Sequence, residues 1–212
     1  MMSNPEQRTN HKSIWRFILP LAFQIALILG IPARAIYTYR SGQTAILQTI
    51  PIDPYDFLRG YYQTLRYDIS RAETLEPLPG WKTVLTPMPS GEERLQEGTQ
   101  LYVVLQAPSP EIEQTPSGLP QAWKPVAVSR DRPSELPDNR VALEGTYNSG
   151  WIDYGLERYY MPEDQRIEIN DYIDRTLREA GQTRPFVVEV KVSEQGDSVA
   201  ESLWVGDREF RF

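Results

Sequence analysis

Hydrophobic and polar positions divide the chain into two regimes. From Phe17 to Ile31 only Gln24 interrupts an uncharged apolar run, whereas beyond residue 40 several segments place apolar residues at every second position. A run close to the roughly 20 apolar residues that a bilayer core requires predicts a spanning helix. Alternation predicts half-buried strands. Ile14 and Trp15 before the run and Pro32 to Tyr39 after it lengthen the span, with Arg34 snorkelling and Trp15, Tyr37 and Tyr39 near the interfaces. The expected organisation is a basic cytoplasmic tail over 1–16, a transmembrane anchor over 17–39 and an extracytoplasmic β-rich domain over 41–212.

The sharpest alternation follows a compact turn rich in Asp, Pro and Gly, from Pro51 to Gly60. After it Tyr61, Leu65, Tyr67 and Ile69 share one face and Thr64, Arg66 and Asp68 the other, which predicts a strand ending near Ser70. Tyr62 and Leu65 are three apart, so either a bulge intervenes or Tyr62 faces outward as an interface anchor beside Arg66.

Elsewhere Thr44–Ile50, Leu101–Gln106, Trp123–Ser129, Arg140–Thr146, Phe186–Val192 and Ser198–Val205 read as strands, with Trp81–Leu85 as a short one. Leu101–Gln106 has little polar content and belongs at the centre of a sheet, while Pro125 assigns its strand to an edge. Glu194–Asp197 and Gly206–Asp207 are turn signals, and 71–99 and 107–121 are long Pro-rich loops. Leu156–Met161 is aromatic and extended. Ile169, Tyr172, Ile173, Thr176, Leu177 and Ala180 recur at helical spacing, with Pro162, Glu163 and Asp164 suited to the first turn and Gly181 to the end. The expected fold is mainly β, a β-rich α+β domain with an antiparallel sheet or barrel-like arrangement and one packed helix.

The blocks at Pro51–Tyr67 and Tyr154–Glu163 also carry a resemblance. Gly60, Tyr62, Leu65 and Tyr67 stand at the Gly, Tyr, Leu and final Tyr of the motif that names the GDYXXLXY family, and Tyr61 replaces its Asp. The chain resembles that family from the apolar segment to its end. The resemblance implies a membrane-anchored protein found beside polytopic membrane proteins, and it implies no activity or cofactor. No role of the motif's Asp transfers to this chain.

Charge locates the domain. In residues 1–40, Arg8, Lys12, Arg16, Arg34 and Arg40 oppose Glu6 alone, so the first part carries +4 and the remainder −11 of the net −7. An acidic domain repels phosphate backbones, which argues against nucleic acid as a partner. The Arg8, Lys12, Arg16 flank retains the N-terminus in the cytoplasm and sends the domain across the inner (cytoplasmic) membrane. Ala33-Arg34-Ala35 also fits a cleavage site, but the long apolar run favours an uncleaved anchor.

Composition then removes chemistries. The chain has no Cys, and its one His, His11, lies in the basic tail, so the domain lacks thiol nucleophiles, imidazole bases and imidazole or thiolate metal sites. No serine sits in a nucleophile-elbow pattern. Carboxylates flank both blocks: Asp53, Asp56 and Asp68 at the first, Glu157, Glu163 and Asp164 at the second. They suit turns and a helix start, and a paired-carboxylate or hard-cation site is the alternative. Arg59, Arg66 and Arg158 are the candidate cations: Arg59 or Arg158 pairing with Asp53, Asp56 or Glu157 would pin the blocks together, and an external anion or a partner's carboxylate is the other reading. The candidate binding set is Asp53, Asp56, Arg59, Tyr62, Arg66, Tyr67, Glu157, Arg158, Tyr160 and Glu163, with no catalytic residue, metal ligand or cofactor assigned. The expected function is a membrane-anchored binding or assembly module for an integral-membrane partner; the alternative is a tethered carboxylate- or cation-dependent hydrolase.

Overall fold

The computed structural model of the protein describes residues 11–49, 62–109, 118–160, 166–180 and 185–211. It divides into two compact units, Met1–Tyr37 and Thr38–Phe212.

Helix α1 runs over His11–Ser41 and contains Pro20 and Pro32. Its stretch Trp15–Ser41 is 27 residues long and contains an 18-residue window with a mean hydropathy of 1.8, none of which is buried by protein. At about 1.5 Å per residue the stretch is roughly 40 Å of helix, longer than a bilayer's hydrocarbon core. One helix is thus long and apolar enough to cross a membrane. It extends beyond both ends of 17–39 because the flanking residues continue the same backbone. Gly42 closes the end, donating its N–H to the Thr38 carbonyl at 2.8 Å.

The remaining elements are, in chain order, β1 (Gln43–Gln48), β2 (Tyr62–Thr64), α2 (Ala72–Leu75), α3 (Trp81–Val84), β3 (Thr86–Pro87), β4 (Glu93–Arg94), β5 (Gln100–Gln106) and β6 (Lys124–Ser129). There follow β7 (Arg140–Asn148), β8 (Trp151–Asp153), β9 (Arg158–Tyr160), α4 (Arg166–Ala180), β10 (Phe186–Val192), β11 (Ser198–Val205) and β12 (Arg208–Phe210). Two four-stranded sheets carry the domain, one in the order β1-β10-β11-β12 and one in the order β6-β5-β7-β8. Among the described residues every strand pairing is antiparallel.

The alternation of each strand decides which side is covered. Leu101, Val103 and Leu105 of β5 and Val188 and Val190 of β10 are all fully buried, and both sets join one core with Leu47, Tyr67, Leu75, Leu143, Ile152, Ile169 and Ile173. The sheets also meet through main chain. Glu144 of β7 donates to Gly196 in the β10–β11 turn at 3.0 Å, and Trp123 donates to Ile46 of β1 at 2.8 Å. The β-rich antiparallel reading holds, β5 is interior and Pro125 lies on the edge strand β6.

Several local expectations change. Within the expected strand Trp81–Leu85, Trp81–Val84 form helix α3, because Trp81 and Val84, three apart, both turn into the core while Lys82 and Thr83 stay exposed. The turn expected over 51–60 lies outside the described residues, and the strand expected to run to Ser70 stops at Thr64. Its partner β9 is equally short, and beyond it the chain makes one bridge, Tyr67 to Thr49, before a 3-10 turn over Asp68–Ser70. The alternation survives without the ladder: Leu65, Tyr67 and Ile69 are buried and Arg66 is exposed. The 71–99 segment is more ordered than a loop, since it holds α2, α3 and the β3–β4 pair. In α4, Ile169 and Ile173 are fully buried, as their spacing predicts; Pro162, Glu163, Asp164 and Gly181 lie outside the described residues.

Candidate functional site

The two sequence blocks come together as neighbouring strands. In the β2–β9 pair Tyr62 faces Tyr160, Gln63 faces Tyr159 and Thr64 faces Arg158. Leu65 continues the contact by donating to the Glu157 carbonyl at 2.7 Å. Two tyrosine hydroxyls complete the join: Tyr67 donates to the Leu156 carbonyl at 2.8 Å, and Tyr154 donates to the Ile69 carbonyl at 2.6 Å. Main chain and buried phenols therefore tie the described parts of the two blocks; of the expected Arg–carboxylate pairs, the Asp53, Asp56 and Arg59 partners lie outside the described residues. Asp53, Asp56, Arg59 and Glu163 lie outside the described residues, and Tyr62 and Tyr160 are placed by their backbone. Tyr67 has no exposed surface and belongs to the core instead of a binding surface.

Beside the join, a tight hairpin links β7 to β8. Ser149 and Gly150 have φ of 51° and 87°, the left-handed pair that a two-residue hairpin with native strand twist requires. The Ser149 N–H is held by both carboxylate oxygens of Glu97 at 3.0 and 2.8 Å, and Asn148 Nδ2 donates to Asp153 Oδ2 at 3.2 Å. The hairpin delivers the half-buried Trp151 against the first block. The Arg66 guanidinium lies 4.0 Å from the Trp151 ring centroid, and that of Arg71 lies 5.8 Å from it. At the nearer distance a cation on an indole face gains about 0.5–2 kcal/mol and is held in orientation.

These elements enclose a groove of about 640 Å³, lined by Leu65, Arg66, Ser70, Asn148, Ser149, Trp151, Asp153, Gly155, Glu157 and Arg158. This is within the usual range for small-ligand clefts. It collects Arg66, Glu157 and Arg158 from the candidate set and adds Ser70, Asn148, Trp151 and Asp153. Ser70 is 3% exposed, and its hydroxyl has no hydrogen-bond partner among the described residues. Both acidic groups already have a task, Asp153 accepting from Asn148 and Glu157 accepting from the Tyr154 N–H. Among the described residues no group of three or more His, Cys, Asp or Glu is placed to hold a metal ion. A second hollow of about 730 Å³ lies under the 132–138 loop and contains none of the candidates.

Tyr154 lies in the chain between Asp153 and Gly155, both of which line the groove. Burial first, and the Glu157 charge second, push its phenol well above the ordinary value of 10.0. The folded value exceeds the unfolded one, so this group's contribution to stability is complete below pH 10.0 and is lost as pH rises through the folded value. Tyr154→Phe is expected to cost about 1 kcal/mol near neutrality by orphaning the Ile69 carbonyl. It should also flatten the alkaline decline. Urea unfolding of both proteins at about pH 8 and about pH 11 checks this, and parallel declines would remove Tyr154 as the source.

The described part of the motif is thus structural: Leu65 and Tyr67 are core residues on either side of the exposed Arg66. A family model described as GDYXXLXY protein matches residues 24–203, most of the chain. The chain belongs to the GDYXXLXY family. No curated protein and no solved structure matches it. The GDYXXLXY match takes in both blocks and the β7–β8 hairpin, so the groove lies wholly inside the family's extent. The signal that would have found the hairpin was the Asn148-Ser149-Gly150 triplet between two apolar runs.

Proposed function

We propose that this GDYXXLXY protein is a membrane-tethered binding and assembly module, anchored in the inner (cytoplasmic) membrane with its N-terminus in the cytoplasm and its β-rich domain outside. In this reading the groove beside the β2–β9 join is the contact surface for an integral-membrane protein. One observation carries it: Arg66 and Trp151, the guanidinium 4.0 Å from the ring centroid, both line a groove that also holds Ser70, whose hydroxyl has no partner among the described residues. Trp and Arg side chains in a pocket are among the residues that dominate recognition surfaces. The basic flank of the apolar helix supports the orientation. A carboxylate-based hydrolase fits less well, because Asp153 and Glu157 are both engaged in bonds that shape the hairpin and the β8–β9 connection.

Crosslinking in native membranes, followed by mild-detergent purification and mass spectrometry, tests the reading with the wild type, Arg66→Ala and Trp151→Ala. A specific integral-membrane partner should crosslink near the groove, and each variant should reduce its yield about tenfold, the loss typical of an interface anchor. Undiminished crosslinking in both variants, or no specific partner, would overturn it. A reporter active only outside the cytoplasm, fused after Phe212, should be active, and silence from a well-expressed fusion would reverse the orientation.

A further inference from the structure

The second hollow, of about 730 Å³, is lined only by residues of the Thr38–Phe212 unit, yet the chain places it beside the end of α1. Ser41, the last residue of that helix, and Gln43, the first of β1, both line it. Gln43 Nε2 donates to the Asp138 carbonyl, which ties the 132–138 loop to β1. A Cβ built on Gly42 would lie 3.0 Å from the Val192 main chain, so the residues leaving the helix run close against the end of β10, and Val192 lines the hollow too. Tyr37 and Tyr39, both exposed, occupy the turn before Ser41 and are of the residue type that settles at headgroup depth. Ser41 follows Tyr39 by about 3 Å of helix rise. With α1 in a bilayer, the wall that Ser41 contributes therefore lies in the headgroup layer.

The lining carries charges of both signs. Arg132 and Arg140 supply guanidinium groups, and Glu135, Asp138 and Glu194 supply carboxylates. Arg140 directs two N–H groups to the neutral Gln106 Oε1 at 3.1 and 2.8 Å, and among the described residues none of these five side chains forms an ion pair. Unpaired charges of both signs in one hollow suit a ligand that carries both. An anionic headgroup answers only the guanidiniums and meets an excess of carboxylates. A choline headgroup brings a cation without N–H donors, the kind that aromatic faces hold, and none of the described lining residues is aromatic. A phosphoethanolamine headgroup answers both signs, because its phosphate accepts from guanidinium and its ammonium donates to carboxylates.

We infer that the hollow under the 132–138 loop binds the headgroup of a zwitterionic aminophospholipid, of the phosphatidylethanolamine type, at the surface of the membrane that holds α1. This rests on the reading of α1 as a membrane anchor, and it gives the domain a lipid contact separate from the Trp151 groove. Arg132 holds the phosphate, and Glu135 and Glu194 hold the ammonium.

The test is native mass spectrometry of the full chain released from detergent micelles that contain equimolar phosphatidylethanolamine, phosphatidylcholine and phosphatidylglycerol with identical acyl chains. The wild type should retain phosphatidylethanolamine about fivefold more than either of the others, the scale of a partly exposed ion pair. Arg132→Gln should lower that retention about fivefold, and Glu135→Gln combined with Glu194→Gln should abolish the preference for ethanolamine over choline. All three side chains are exposed, so melting temperatures within about 2 °C of wild type should accompany these losses. Glycerophosphoethanolamine, the same headgroup without chains, should leave no adduct at the same total concentration, since the micelle concentrates the lipid around the helix. Retention of it equal to the lipid's would make the ligand a soluble zwitterion and overturn the assignment. Equal retention of the three lipids, or an ethanolamine preference that survives both variants, would overturn it as well. Fractionation of native cells separates the two readings: protein in the membrane without a lipid preference overturns only the headgroup site, whereas an ethanolamine preference in protein that fractionates as soluble supports the headgroup chemistry and overturns the anchor.

Discussion

Gly80→Ala is expected to lower the stability of the Thr38–Phe212 unit by about 3–4 kcal/mol and its melting temperature by about 10 °C. Gly80 has φ of +87°, and a Cβ placed there would lie 1.9 Å from the Val128 carbonyl oxygen. That oxygen belongs to the main chain of β6 and cannot swing aside as a side chain would. The same approach is fixed from the other direction, because the Val128 N–H donates to the Pro79 carbonyl at 2.9 Å. Alanine must therefore both adopt a left-handed backbone and push α3 away from β6, which breaks that bond and uncovers Trp81 and Val84. Gly91 is the control, with φ of +84° and nothing within 4 Å of its added Cβ. There alanine should cost only the conformational term, about 1 kcal/mol. Thermal melts followed by tryptophan fluorescence compare the two, and equal losses would show that the β6 contact is not what constrains Gly80.

Tyr67→Ala is the second large effect, about 3–5 kcal/mol, as for other fully buried aromatics cut back to a methyl. Tyr67 has no exposed surface, bridges Thr49 at the end of β1 and donates to Leu156 at 2.8 Å. One residue thus ties the first strand through its backbone and the second block through its hydroxyl. Tyr67→Phe keeps the ring and should cost about 1–2 kcal/mol by leaving the Leu156 carbonyl unpaired. Its signature is local: hydrogen exchange should accelerate in peptides covering Tyr62–Tyr67 and Leu156–Tyr160 before other strands respond. Unchanged exchange there, with stability within experimental error of wild type, would mean that the β2–β9 ladder and the surrounding packing hold the join without the hydroxyl.

Much of this architecture was legible in residue order because its causes are local or nearly so. The apolar run defines α1, the nearly unbroken apolar stretch Leu101–Gln106 and the alternation in Phe186–Val192 define β5 and β10, and the Ile169–Ile173 spacing defines the inward face of α4. Even where the strand after the Asp-Pro-Gly turn proved too short, the inward and outward assignments of Leu65, Arg66, Tyr67 and Ile69 survived, since solvent exclusion acts on side chains whether or not a ladder forms. The error at Trp81–Leu85 has the converse cause. An aromatic and β-branched composition favours a strand, but a left-handed Gly80 beside β6 lets a four-residue helix bury Trp81 and Val84 together.

The sequence by itself determined an N-terminal segment suited to lipid, an acidic β-rich body, and a domain without cysteine or histidine to drive chemistry. It marked two blocks and could not relate them, because nothing local states that residues near 64 and 158 are strand partners. Only the tertiary structure decided that Trp151 comes to rest against Arg66 and that Ser70 is buried with its hydroxyl unmatched among the described residues. The physical reason is that strand pairing and side-chain stacking between distant segments depend on how the whole core closes, whereas periodicity records only which side of each segment avoids water.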